Sequence, residues 1–155
     1  MMSEKIRIKY HADIDKVTKI GDKKSDWVDL RAAEDTFIPV GEYAMIPLGV
    51  SMKLPEGYEA IVAPRSSTFK HYGIILVNSI GIIDNSYCGT NDVWQYLAYC
   101  VKGDYIKNGI RGAYIKKNDR ICQFRILKNQ PDIEFEEVDE LEDADRGGIG
   151  STGKN

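Results

Sequence analysis

Apolar and polar residues alternate in short runs along the chain, and sustained i, i+3, i+4 spacing is hard to find. Ile6, Ile8 and Tyr10 alternate with Arg7 and Lys9, which predicts a strand with one buried face. A polar stretch at 21–26, GDKKSD, then breaks the pattern. Further strands are expected over 37–41, over 43–50 and from Tyr58 into Pro64, the last out of the proline-glycine turn LPEGYE at 54–59. Ile74 to Val77 is continuously apolar, which predicts a strand covered on both faces, in a core, a barrel interior or a subunit interface. The segments 93–101 and 121–127 read as core strands, the second with Cys122, Phe124 and Ile126 on one face. After Pro131 the chain turns acidic, with Ile133, Phe135, Val138 and Leu141 set among the acids, and one last strand is expected ahead of the acid run. The pattern as a whole is that of an all-β fold with no repeat of fixed period.

Length and composition narrow the picture further. A chain of 155 residues, 43% hydrophobic and 29% charged, suits one globular domain with at most a tail. The division expected is a β domain over 1–140 and an acidic linker with a glycine-rich arm over 141–155, the arm disordered in isolation. Lys and Arg number 21 against 24 Asp and Glu, a net charge of -3, so no direct nucleic-acid binding through a basic face is expected. Cys88, Cys100 and Cys122 stand alone, outside any C-x-x-C pair, which points away from a disulfide framework or zinc site and towards a reducing compartment. With no long apolar run and no signal-peptide pattern, neither a membrane span nor export is expected, and the location expected is cytoplasmic. P-loop, G-x-G-x-x-G and G-x-S-x-G patterns are absent.

Four clusters carry candidate chemistry. Arg146, Ser151 and Thr152 among glycines supply a guanidinium, two hydroxyls and open backbone N–H groups, the parts of a phosphate site or, more plainly, a solvated terminus. Arg65, Ser66, Ser67 and Thr68 again join an arginine to hydroxyls, or form an ordinary polar turn. In the run from Gly81 to Gly89, Asp84 follows an apolar pair, where it can act as an acid or base or simply open a β-turn. Asn118-Asp119-Arg120 precedes the strand at Ile121, with Gln123 on the face opposite Cys122. His11 and His71 lie too far apart in sequence to suggest a histidine metal site.

In this order the segments resemble the five motifs of the homotrimeric dUTPase family, from about Asp29 to the C-terminus. They are Asp29-Leu30-Arg31-Ala32-Ala33, Ala63-Pro64-Arg65-Ser66-Ser67, the run Gly81 to Gly89, Asn118 to Phe124, and Arg146 to Gly153. The resemblance implies a distorted jelly-roll subunit in a homotrimer, its C-terminal arm exchanged between subunits to close over the nucleotide. It implies hydrolysis of dUTP to dUMP and pyrophosphate, which limits uracil incorporation into DNA and supplies dUMP for thymidylate synthesis. Asp84 takes the role of general base for the attacking water, and Asp29 holds Mg2+ through water. Asn78 reads the uracil edge with the backbone of the following hairpin, including Gly81 and Ile83. Tyr87 stacks under the deoxyribose and excludes a 2′-hydroxyl. Arg65, Ser66, Ser67 and Gln123 fall to the phosphates, while Arg146, Ile149, Gly150, Ser151 and Thr152 form the lid.

Some positions depart from the family pattern. Ile149 stands where a phenylalanine usually stacks on uracil, Val28 where a tyrosine is usual, and TNDVWQY follows Gly89 in place of small residues. Ser67, where the family usually has glycine, is shared with the related dCTP deaminases, which makes deamination the nearest alternative. Trp94 occupies the position of the deaminase glutamate, and without that acid the proton shuttle is missing. Some phage-type members of the family are regulators that dock on a repressor, so a regulatory protein partner is a second alternative, with the acids at 132–145 as its candidate surface.

Overall fold

The computed structural model describes residues 4–18, 25–148, 150 and 153. Six strands come first: β1 (Arg7–Tyr10), β2 (Val28–Arg31), β3 (Thr36–Pro39), β4 (Tyr43–Pro47), β5 (Val50–Lys53) and β6 (Tyr58–Pro64). A short helix, α1 (Thr68–Tyr72), follows. The chain continues through β7 (Ile74–Leu76), β8 (Gly81–Ile83), β9 (Gln95–Cys100), β10 (Tyr105–Lys107), β11 (Ile110–Ile115) and β12 (Arg120–Lys128). Among the described residues no helix is long and apolar enough to cross a membrane.

Every ladder is antiparallel, and most join strands distant in sequence: β1 with β5, β3 with β11, β2 and β6 both with β12, β4 and β7 both with β9. This crossed connectivity fits the expected jelly-roll. Period-two burial explains the strands. In β12, Cys122 and Phe124 are buried while Gln123 and Arg125 turn outward, and an irregularity between Arg120 and Cys122 lets Ile121 enter the core as well. The core is aliphatic, built on Leu30, Ile38, Ile46, Val62 and Ile121, with Trp94 edge-to-face on Phe124 at 5.3 Å between centroids.

The structure differs from the sequence pattern in several places: the strand expected over 43–50 breaks before β5, where Gly49 holds φ of 69°, and the polar cluster at 65–68 runs into helix α1. The run at β7 is covered on one face only: Ile74 and Leu76 are buried, while Ile75 and Val77 remain 43% and 48% exposed. Ile75 pairs with Tyr99, and Tyr99 with Tyr43, so an apolar row crosses the outer face of β7, β9 and β4. The continuous hydrophobicity therefore belongs to a face that this chain does not itself cover. No strand follows Pro131 among the described residues, because the segment meets no ladder partner within the chain, and Phe135 is 91% exposed. A hairpin of β10 and β11, by contrast, has no counterpart in the pattern above. Its turn is Asn108-Gly109, both at positive φ (50° and 78°), the pair that a right-twisted two-residue hairpin turn favours.

Candidate active site

Two clusters form at opposite ends of the sheet β2-β12-β6-β8. At one end, the register places Asp29 opposite Gln123, and Gln123 opposite Ala63, so the three share one face. Leu30 and Cys122 point the other way, into the core. Asp29 Oδ1 lies 3.2 Å from Arg65 Nε, and its Oδ2 lies 3.3 Å from the Arg120 guanidinium. Arg65 also donates to the Arg120 carbonyl at 3.2 Å, and Gln123 Nε2 donates to the Pro64 carbonyl at 3.0 Å.

The turn that carries Arg65 is fixed from below. The Arg65 N–H donates to Thr68 Oγ1, and the buried Thr68 hydroxyl donates to the Ile121 carbonyl, both at 2.8 Å. Ser66 is left exposed, and Ser67 sits at the N-cap of α1 without a side-chain capping bond. Beside this cluster opens a groove of about 470 Å³ lined by Arg31, Arg65, Arg120, His71 and Tyr72. Burial, then the charge and hydrogen bond of Asp119, push the Tyr72 hydroxyl up to about 12. Burial pushes the Cys122 thiol up as well, followed by the Asp29 carboxylate, so Cys122 is a protonated core residue at neutral pH.

The second groove, also about 470 Å³, brings together Asn78, Gly81, Ile83, Asp84 and Tyr87 over apolar side chains. Asn78 Nδ2 donates to the Ile80 carbonyl at 2.8 Å, which favours one orientation of the amide. Ser79, next to it, holds φ of 63°, a strained conformation for a residue other than glycine. Ile83 is buried in the core at the edge of the groove, while Gly81 packs so close to Val62 that a Cβ there would lie 3.2 Å from the Val62 Cβ. Asp84 is exposed, and its carbonyl accepts the Tyr87 N–H at 3.0 Å, so the β-turn reading and the groove position both hold. Asn85 Nδ2 pins that turn to the carbonyls of Pro55 and Tyr58, at 2.8 Å each. The Tyr87 hydroxyl donates to the Val93 carbonyl at 3.0 Å, which fixes the ring against the groove.

Strand β6 holds the two clusters apart. Ile83 pairs with Ala60, so Asp84 lies beside Glu59, whereas Arg65 follows the far end of the strand. From residue 59 to residue 65 an extended chain covers about 20 Å. Arg146 and Gly150 lie in the exposed C-terminal segment; Ile149, Ser151 and Thr152 fall outside the described residues. Trp94 is fully buried, so the position that carries an acid in the deaminases is here part of the core. His11 is bonded to Ser51 Oγ at 2.9 Å, a structural contact away from both grooves. Among the described residues no group of three or more His, Cys, Asp or Glu is placed to hold a metal ion. The guanidinium of Arg120 on Asp29 and the Thr68 tie were invisible in the motifs, because both depend on which strand ends meet.

The dUTPase family model matches residues 16–153. The SPbeta prophage-derived deoxyuridine 5′-triphosphate nucleotidohydrolase YosS of Bacillus subtilis is 51% identical over 149 residues, covering 96% of this chain and 97% of that protein. A deoxyuridine 5′-triphosphate nucleotidohydrolase of Finegoldia magna is 36% identical, covering 98% and 99%. Among solved structures, a variant of the dUTPase of Staphylococcus bacteriophage 80alpha with dUpNHpp superposes with a TM-score of 0.76 at 20% identity, over 97% of this chain and 99% of that one. A variant dUTPase from phage phi11 of S. aureus, which coordinates a structural Mg(II) ion, gives a TM-score of 0.72 at 18% identity over 90% and 99%. The two structures establish the shared fold; the family match over nearly the whole chain and the close relatives together show that this chain belongs to the dUTPase family.

Proposed function

We propose that this chain hydrolyses dUTP to dUMP and pyrophosphate, and that Asp84 is the general base. The observation that carries the reading is the groove in which Asp84, Asn78 and Tyr87 meet. One N–H of the Asn78 amide is spent on Ile80. That bond favours one orientation of the amide, in which its other N–H and Oδ1 present a donor and an acceptor in a set order. That order suits O4 and N3–H of uracil and opposes the reversed pattern of cytosine. Tyr87, held by its bond to Val93, supplies a ring against which a deoxyribose packs and a 2′-hydroxyl clashes.

In the reaction the water oxygen attacks the α-phosphorus, its proton passes to the Asp84 carboxylate, and the bond to the bridging oxygen breaks as pyrophosphate leaves. Charge that develops on the leaving group is met by Arg65, Gln123 and the hydroxyls of Ser66 and Ser67. Magnesium keeps several waters and takes one or two carboxylates together with substrate phosphates. Asp29 fits that donor set through a bridging water, since among the described residues each of its oxygens holds a single guanidinium partner. When bound, Mg2+ adds neutralising charge at the phosphates.

Asp84 and Arg65 lie at opposite ends of β6, yet the α- and β-phosphates share one oxygen. The reading therefore needs Asp84 from one protomer and Arg65 from its neighbour, as a homotrimer supplies. Support comes from the uncovered apolar row Tyr43–Tyr99–Ile75 and from the exposed Ile133 and Phe135, which alternate with acids like a strand in search of a partner. The arm from Arg146, with Ile149, Gly150, Ser151 and Thr152, then closes over a neighbouring site. The test is pyrophosphate release from dUTP, dCTP, dTTP and UTP, with magnesium and with excess chelator. Magnesium-dependent cleavage confined to dUTP is expected; ammonia from dCTP, or silence on every substrate, overturns the reading.

A further inference from the structure

Gln95 stands at the start of β9 and lines the same groove as Asn78, Asp84 and Tyr87. Burial along β9 alternates so that Gln95 is exposed while Tyr96 faces the core. Its cross-strand neighbour is Pro47, whose ring offers the amide neither donor nor acceptor. The two other neutral polar side chains of the groove are tied to carbonyls of their own loops, Asn78 to Ile80 and Tyr87 to Val93. Gln95 makes no side-chain hydrogen bond among the described residues, so it is the amide that remains available there.

The groove brings it together with Asn78. Leu76 pairs with Ala98, and the next step is the bond from the Val77 N–H to the Leu97 carbonyl at 2.9 Å. There the ladder ends: the Ser79 N–H donates to the Leu76 carbonyl at 3.0 Å, and the turn so closed leaves Asn78 on the lining of the groove that Gln95 also lines. A pyrimidine edge with two carbonyls flanking an N–H needs three partners. Asn78 with its held amide meets the N–H and one carbonyl; the other carbonyl has two lone pairs and so takes a side-chain donor beside a backbone N–H of the hairpin. Burying the other carbonyl without a donor costs on the order of 1–3 kcal/mol.

We propose that Gln95 is a second base-reading residue, whose Nε2–H donates to the pyrimidine carbonyl that Asn78 leaves unmet. The inference rests on the dUTP reading of this groove and adds a base-binding residue to it. Because an amide free to rotate adapts to either polarity, Gln95 contributes to affinity, while the held Asn78 carries most of the choice between uracil and cytosine.

The experiment measures kcat and KM on dUTP for the wild-type enzyme, Gln95→Met and Gln95→Glu, with the melting temperature of each. Met keeps length and packing but removes the donor, so KM is expected to rise about tenfold with kcat changed by less than about twofold and the melting temperature unmoved. Glu turns a charged acceptor towards a carbonyl, and its KM is expected to rise further. An unchanged KM for Met, or a Glu variant equal to wild type, overturns the role of Gln95. So does a joint fall in kcat and melting temperature, which marks a structural residue. Wild-type enzyme that leaves dUTP intact overturns the reading of the groove itself, whereas active wild type with unaltered variants overturns Gln95 alone.

Discussion

Asp84 is a carboxylate on an exposed turn whose backbone bonds do not involve its side chain, so its chemistry can be removed without disturbing the loop. Asp84→Asn is expected to keep nucleotide binding and lose about 10²- to 10⁴-fold in kcat, checked by single-turnover kinetics beside a binding titration. Two other residues set a pH limit on the fold. The Cys122 thiol lies above its ordinary value of 9.0, and the Tyr72 hydroxyl is raised from 10.0 to about 12. In each case the folded state holds its proton more tightly than the unfolded chain. The stability they give is complete below the unfolded values and is lost as pH rises from about 9 towards 12. Denaturant midpoints followed across that range are expected to fall, with Cys122→Ser flattening the lower part of the decline.

The elements were legible where their cause is local. Alternation in β1 and in β12 shows the buried face directly, and Asn108-Gly109 carries the turn signal for the β10–β11 hairpin even though the surrounding pattern gave no strand. Illegible were the features set by pairing. Nothing near Thr68 reveals that its hydroxyl reaches Ile121, and nothing in motif one announces that Asp29 is shared by Arg65 and Arg120. Helix α1 depends on such a contact too. Gly73 ends it at φ of 69°, with its N–H on the Phe69 carbonyl at 2.8 Å, and a Cβ there would run into the Lys102 backbone. Gly73→Ala is expected to cost about 1–3 kcal/mol in chemical denaturation, from left-handed strain together with the clash. The C-terminal arm is an element of the opposite kind: its described residues, 141–148, 150 and 153, are all exposed. Arg146→Ala is expected to lower turnover while leaving the melting temperature unchanged; a collapsed melting temperature would show the arm to be structural.

At the scale of the whole molecule, the motifs were readable from the sequence, but their division between two grooves was not, because it follows from the antiparallel register of β6 with β8 and β12. An isolated chain leaves the apolar row on β4, β9 and β7 open and its acidic C-terminal stretch without a partner. Sedimentation is therefore expected to show a trimer, and Met45→Glu, which places a charge on that 55% exposed position, to weaken it. The length of β6 has a genetic consequence as well. If base and phosphate grip come from different protomers, a chain lacking Asp84 and a chain lacking Arg65 can repair one another. After unfolding and joint refolding of the two dead variants in equal amounts, about a quarter of the sites are expected to draw both intact residues and regain activity. Mixtures that stay silent would mean that a single chain serves each phosphate, and that the strand is no barrier after all.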